Sequence, residues 1–223
     1  MLHRSTTSRR RWRPAALLAA GVLLAWTFVG CSSGDDSAST TSTVSPSSNN
    51  NGGTEELATA CSEVDLTPVE TSAAELAEAQ LTLEAALGNE AEFAAATVAF
   101  LEKGSVMFSS LATELDAFFD ELAQVSGQSA IADVTDDFAT TADDFSALAP
   151  EINSAGTVTG DDIATIQAVG NRFDKFAEYV NPGSPSGDDL QRIPACKTMI
   201  RNLDAVTTAI SAADGQDELD GSD

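Results

Sequence analysis

From about residue 61 onward, apolar side chains return at alternating steps of three and four. Phe108, Leu111, Leu115, Phe118, Leu122 and Val125 make one such series, and Ile131, Val134, Phe138, Phe145 and Leu148 a second, with Thr141 in the vacant seat. Ile166, Val169, Phe173, Phe176 and Val180 form a third, and Ile193, Cys196, Ile200, Leu203 and Ile210 a fourth. A period near 3.6 gathers each series onto one face of an amphipathic helix. Stripes this short cannot be satisfied alone, so the helices must pack on one another. The expected fold is all-α, an antiparallel four- to five-helix bundle over residues 61–213. No stretch with strand periodicity competes.

Local punctuation divides these helices. Ser72 with Glu75 has the spacing of a capping box ahead of Leu76, Leu83 and Leu87. Lys103-Gly104-Ser105 predicts a helix end followed by a new N-cap, and Ser126-Gly127 and Pro150 bound the next helix. Gly160-Asp161-Asp162 begins another, which Asn181-Pro182-Gly183 closes. Gly88-Asn89 has breaker residues, yet the apolar phase runs through it from Leu87 to Ala94 and Leu101. Both four long helices with a short one and five comparable helices therefore stand.

Ahead of the bundle the texture differs. Residues 31–60 are rich in Ser, Thr, Asn and Gly with scarcely any large apolar side chain, too little to offset the entropy of ordering, and predict a flexible linker. About thirty such residues have a typical end-to-end distance of about 30 Å and a limit near 100 Å. Residues 214–223 are an acidic tail with the same expectation. Residues 1–30 start with Arg4, Arg9, Arg10, Arg11 and Arg13 and no acid, then run apolar from Ala15 to Val29. About twenty apolar residues are needed to span a bilayer, so this shorter run predicts a secretory signal peptide.

Phe28, Val29, Gly30 and Cys31 close that run and resemble the lipobox of bacterial lipoproteins, with Phe28 where leucine is usual. The resemblance implies that Cys31 is the lipid-attachment residue, carrying a diacylglyceryl group as the new N-terminus of a protein on the extracytoplasmic face of the cell membrane. Two acyl chains make such attachment stable, where one, at about 0.8 kcal/mol per buried methylene, is marginal. The likeness covers the first thirty-odd residues. An ordinary or uncleaved signal with an incidental Cys31 is the bland alternative, and Ser8-Arg9-Arg10-Arg11-Trp12 leaves the general and the twin-arginine export routes both open. The lipobox, the Ser/Thr-rich spacer and an Ala-rich acidic domain with Ala-Pro-Glu-Ile at Ala149–Ile152 are also similar to small lipoproteins of high-GC Gram-positive bacteria with no assigned activity.

Charge narrows the partners. The chain has 35 Asp and Glu against 11 Lys and Arg, a net −24. Cleavage after Gly30 would remove five of the basic residues, leaving six against thirty-five, or −29. A surface this acidic repels nucleic acid and anionic lipid head groups, so no nucleic-acid partner is expected. Solvation of a surface protein explains such acidity without further function.

Cysteine count then matters. With Cys31 lipidated, Cys61 and Cys196 remain, and in an oxidising compartment a Cys61–Cys196 disulfide is expected. It would clamp the entry of the bundle to its last helix. The bland alternative is two reduced thiols, with Cys196 an inert core residue.

The inventory for chemistry is thin. His3 is the only histidine, and none follows Cys31, which removes the usual general base and commonest zinc ligand. Gly183-Ser184-Pro185-Ser186-Gly187 has Pro185 where a nucleophile elbow needs serine, and predicts a turn. Lys103, Lys175 and Lys197 have no serine three residues before them. Asp136-Asp137 and Asp143-Asp144 fall on outward and flanking positions of one helix, and the tail lacks the register of a calcium loop. No catalytic residue, metal site or cofactor is indicated. The expectation is a membrane-anchored, non-enzymatic surface protein whose bundle serves an envelope protein partner or a structural role, of open oligomeric state. The alternative is a carrier of a small apolar ligand, with room at a seam of Ala94, Thr97, Gly104 and Thr141, or a weak divalent-cation binder.

Overall fold

The computed structural model describes residues 51–180 and 185–212. The signal segment 1–30, Cys31, the linker up to residue 50 and the tail 214–223 lie outside the described residues, as do the side chains of Phe173 and Ile210. Every regular element among the described residues is helical: α1 (Asn51–Glu63), α2 (Thr67–Ala85), α3 (Glu90–Ser126), a single 3-10 turn (Ser129–Ile131), α4 (Asp133–Ala155), α5 (Gly160–Val180), the short α6 (Pro185–Leu190) and α7 (Pro194–Ala212). The helices pack around one core, and the all-α bundle expected from periodicity is what the structure has.

The 37-residue α3 is the central rod, about 55 Å long at 1.5 Å per residue. Along one side α4 runs antiparallel to it, as the register shows: Phe100 lies beside Phe145, Ser105 donates to the Ala142 carbonyl at 2.9 Å, Phe108 lies beside Phe138, and Thr135 donates to Asp116 at 3.3 Å. Along another side run α1 and α2, a single column in two pieces. Glu75 of α2 pairs with Lys103, and Gly53 of α1 lies against Val125. The two contacts fall on one antiparallel register, α2 covering the first half of α3 and α1 the second. Helix α7 packs on both pieces, and α5 packs on α4.

The core is built on the predicted stripes. Phe108, Leu111, Leu115, Phe118 and Leu122 of α3 are buried, as are Val134, Phe138, Phe145, Leu148 and Ile152 of α4 and Cys196, Ile200 and Leu203 of α7. Seven phenylalanines form a continuous chain of ring contacts, from Phe100 to Phe145, Phe108, Phe138, Phe176, Phe119 and Phe118, with centroids 4.9–6.4 Å apart. Tilted and edge-on pairs at this range are favourable by about 0.5–1.5 kcal/mol beyond the area they bury.

The structure sets boundaries that the local signals left open or placed elsewhere. Gly88-Asn89 does break the chain: Gly88 has φ +149°, and the Asn89 side chain accepts from the Glu92 amide as an N-cap. Ser72 caps nothing; it sits inside α2, donating to the carbonyls of Pro68 and Val69. The helix starts earlier, at Thr67-Pro68, where proline costs nothing because first-turn amides have no partner. Nor does α3 end at Lys103-Gly104-Ser105. Gly104 is mid-helix because α4 leaves no room: a Cβ there would be 2.7 Å from the Phe145 ring.

Pro150 lies inside α4, which continues to Ala155 and ends at Gly156 with φ +67°. A proline in a helix interior costs about 3 kcal/mol. Leu148 and Ile152, both buried, offset that at about 1.5–3 kcal/mol each. Asn181-Pro182-Gly183, expected to close α5, and Ser184 lie outside the described residues, while Pro185, Ser186 and Gly187 of the expected turn are helical in α6. The linker expected over residues 31–60 also ends early, since α1 is helical from Asn51. Leu57 and Cys61, one turn apart, are both buried, and this short apolar edge suffices because α3 and α7 receive it.

Candidate functional site

Cys61 and Cys196 form the expected disulfide, joining the end of α1 to the first turn of α7 across a sequence separation of 135 residues. Both are buried. Cys196 Sγ lies 3.7 Å from the Leu57 carbonyl oxygen, a packing contact, since a bonded sulfur has no proton to donate. The covalent link holds α1 on α7 next to the point where the α1–α2 column breaks.

That break interrupts the column for three residues. Between α1 and α2, Val64-Asp65-Leu66 leaves the helical path, and Leu66 turns inward and is buried. The Asp65 carboxylate accepts from the Thr67 amide at 3.0 Å, which starts α2. Hydrogen bonds from the Thr67 hydroxyl and then its amide hold Asp65 below the usual carboxylate range. It is therefore an anion at neutral pH.

A cleft of about 570 Å³ opens here, with Cys61 on its wall, Ser62, Asp65, Thr67 and Glu70 along the α1–α2 side, and Thr198, Met199 and Asn202 along α7. Its volume lies within the range of small-ligand sites. Glu70 also belongs to a second groove of about 240 Å³, lined by Ala73, Ala74 and Ala77 of α2 and Ala205 and Val206 of α7. The cleft and groove thus continue one another along the α2–α7 seam. Because Asp65 to Glu70 meets residues 194–202 while Ala73 to Ala77 meets 205–206, the two helices run parallel. Neither lining includes Lys or Arg.

Other candidates from the sequence resolve as structure. Asp136 and Asp143 are exposed on α4, while Asp137 and Asp144 are half-buried at its edge. Asp144 pairs with Arg172 of α5 at 2.8 Å, and the same guanidinium donates to the buried Thr141 hydroxyl at 3.0 Å. Thr141, the polar residue in an apolar seat, also donates to the Asp137 carbonyl. The seam of Ala94, Thr97, Gly104 and Thr141 is buried throughout, and at Gly104 it is filled by Phe145. Close helix approach explains these small residues there.

Among the described residues no three of His, Cys, Asp and Glu gather as a metal site would require. None of the described helices is long and apolar enough to cross a membrane. Sequence reasoning passed over Asp65, Glu70, Thr198 and Asn202. The signal was the Asp65-Leu66-Thr67-Pro68 run, an acid two residues ahead of a proline-led first turn, which marks a helix start ahead of the one assigned to Ser72. No family model, curated protein or solved structure matches the chain.

Proposed function

We propose that this chain is a membrane-anchored surface lipoprotein whose helical domain acts without catalysis, by engaging a protein partner or serving a structural role in the cell envelope. The observation that carries the reading is the pairing of Cys61 with Cys196, given that Cys31 ends a basic-then-apolar leader at a lipobox-like Phe28-Val29-Gly30-Cys31. A disulfide inside a domain of this size belongs to an oxidising compartment, and such a leader exports its cargo. The three cysteines divide accordingly: Cys31 as the lipid-bearing residue, Cys61 and Cys196 as the clamp. The first described helix begins at Asn51, twenty residues after Cys31.

The test is the intact mass and location of the native polypeptide. The expected product starts at Cys31 and carries fatty acyl chains, and a Cys31→Ser variant leaves the membrane fraction. An unmodified chain recovered from the cell interior would overturn the assignment. Turnover of a substrate that a single-site variant abolishes would overturn the non-enzymatic part.

A second reading, a carrier of a small apolar ligand, draws on the alanine-lined groove of about 240 Å³ between α2 and α7. Native mass spectrometry of protein from its own host distinguishes the two. A retained adduct lost in an Ala205→Trp variant favours the carrier, and a bare chain favours the interaction domain. The same spectrum would register a weakly held divalent cation.

A further inference from the structure

We propose that the α2–α7 seam is the docking surface, and that its occupant is a basic amphipathic helix presented by a partner protein. This deepens the interaction reading above and rests on it for biological context, though its test does not depend on the lipid.

Three observations converge. First, the seam is a concave surface of helical dimensions. On α2 the residues Glu70, Ala74, Ala77 and Leu81 follow one another at steps of four, three and four, forming a stripe, and Leu81 is 48% exposed, a large apolar residue left uncovered at its far end. From Asp65 to Ala77 the lined part of the seam is about 18 Å long at 1.5 Å per helical residue, about three turns of a docked helix. Ala73, Ala74, Ala77 and Ala205 bring no bulk, so an incoming backbone can approach closely and insert larger aliphatic knobs between α2 and α7.

Second, the charge of the linings themselves has one sign. Asp65 and Glu70 are the charged groups of the linings. Lys103 and Arg192 are engaged with Glu75 and Asp189, and Arg172 with Asp144 on a different side of the bundle. Lys197 and Arg201 are exposed on α7 but line neither cavity. A Lys or Arg at the end of a docked helix would meet Asp65 and Glu70, both exposed on the wall of the cleft. A second copy of this chain would bring carboxylates against carboxylates, as would the acidic tail, so like-charge repulsion disfavours both.

Third, one end of the cleft is tied covalently. The disulfide fixes α1 against α7 on one side of the break, and the Asp65–Thr67 bond fixes the start of α2 on the other. A preorganised groove spends less of its binding free energy on ordering itself.

The experiment uses the full chain, in nanodiscs of zwitterionic lipid if it is lipidated and in buffer if it is not. The probes are two labelled 20-residue helical peptides sharing one Leu/Ala face, with Lys or Glu on the polar face and a photo-crosslinker at one apolar position. Empty nanodiscs supply the background. The Lys peptide should bind, crosslink within residues 62–81 and 194–206, and weaken as salt rises, whereas the Glu peptide should not bind. Glu70→Lys and Ala74→Arg should each weaken the Lys peptide at least ten-fold. Glu102→Lys, the same charge change at an exposed site on α3, should leave it within two-fold. Melting curves establish that the variants fold, and Glu70→Lys decides alone if Ala74→Arg does not. Several outcomes would overturn the proposal: no binding, equal binding of both peptides, equal loss in Glu102→Lys, crosslinks elsewhere, or a dimer that Ala74→Arg splits. Failure here with a lipidated, surface-located chain would remove this groove alone. Success on an unlipidated chain would remove only the anchor.

Discussion

At the scale of single residues, Gly104 shows how packing decides a position that propensity would decide otherwise. In an exposed helix interior, replacing Gly with Ala gains about 0.5–1 kcal/mol. Here the added carbon would stand 2.7 and 2.8 Å from Phe145 Cδ2 and Cε2, and that ring is itself held by Phe100 and Phe108. Forced overpacking costs about 1–3 kcal/mol, so Gly104→Ala should be destabilising by about 1–2 kcal/mol in urea unfolding. Adding Phe145→Leu should recover part of the loss, because the smaller side chain yields the space. Thr141 is the polar counterpart. Fully buried on the apolar stripe, it holds the Arg172–Asp144 pair to α4, which explains why one seat of that stripe is a hydroxyl.

At the scale of elements, two features were set by neighbours. Pro150 leaves the Ser146 carbonyl, four residues back, without an amide donor from position 150, yet α4 continues for five residues to Ala155. Pro150→Ala should therefore raise stability by about 2 kcal/mol, the roughly 3 kcal/mol helix penalty less about 1 for the extra freedom of the unfolded chain. A rise in the urea midpoint with unchanged slope would confirm it. The disulfide is the second feature. Closing a loop of 135 residues constrains the unfolded chain by about 5 kcal/mol on the entropy model, with measured losses of about 2–5. The Cys61→Ser, Cys196→Ser double variant should lose that amount, with α1 the first helix to lose amide protection in hydrogen exchange. Equal loss of protection across α3 would contradict this order.

At the scale of the whole molecule, electrostatics is dominated by a net −24. Self-repulsion of this kind opposes compaction and is screened by salt. At pH 7 the melting temperature should rise between 10 mM and 300 mM sodium chloride, against the small loss expected from the exposed Lys103–Glu75 pair. A fall would mean that specific ion pairs outweigh the repulsion. Two groups add a pH dependence of known sign. Asp65 is shifted down by its bonds from Thr67, so its contribution is present above the unfolded carboxylate value and is lost as pH falls through the folded one. Lys103 is shifted up, first by its hydrogen bond to Glu75 and then by that carboxylate's charge. Its contribution is complete below the unfolded lysine value and is lost as pH rises through the folded one.

The sequence by itself determined what depends on near neighbours along the chain. The 3.6-residue return of apolar side chains decided that the elements are helices and which face of each turns inward, because a helix brings residues three and four apart together whatever surrounds it. Composition, the leader pattern and the cysteine count likewise framed the expectations about export and pairing. The tertiary structure alone decided where those helices begin and end. Gly104 and Pro150 look like breakers until α4 is seen against α3 and its buried Leu148 and Ile152 are counted, and Asn51–Glu63 looks like spacer until α3 and α7 are there to cover Leu57 and Cys61. The α2–α7 seam was invisible for the same reason. Its walls are separated by more than a hundred residues, and a surface shared by Glu70 and Asn202 comes into being only when the chain has closed on itself.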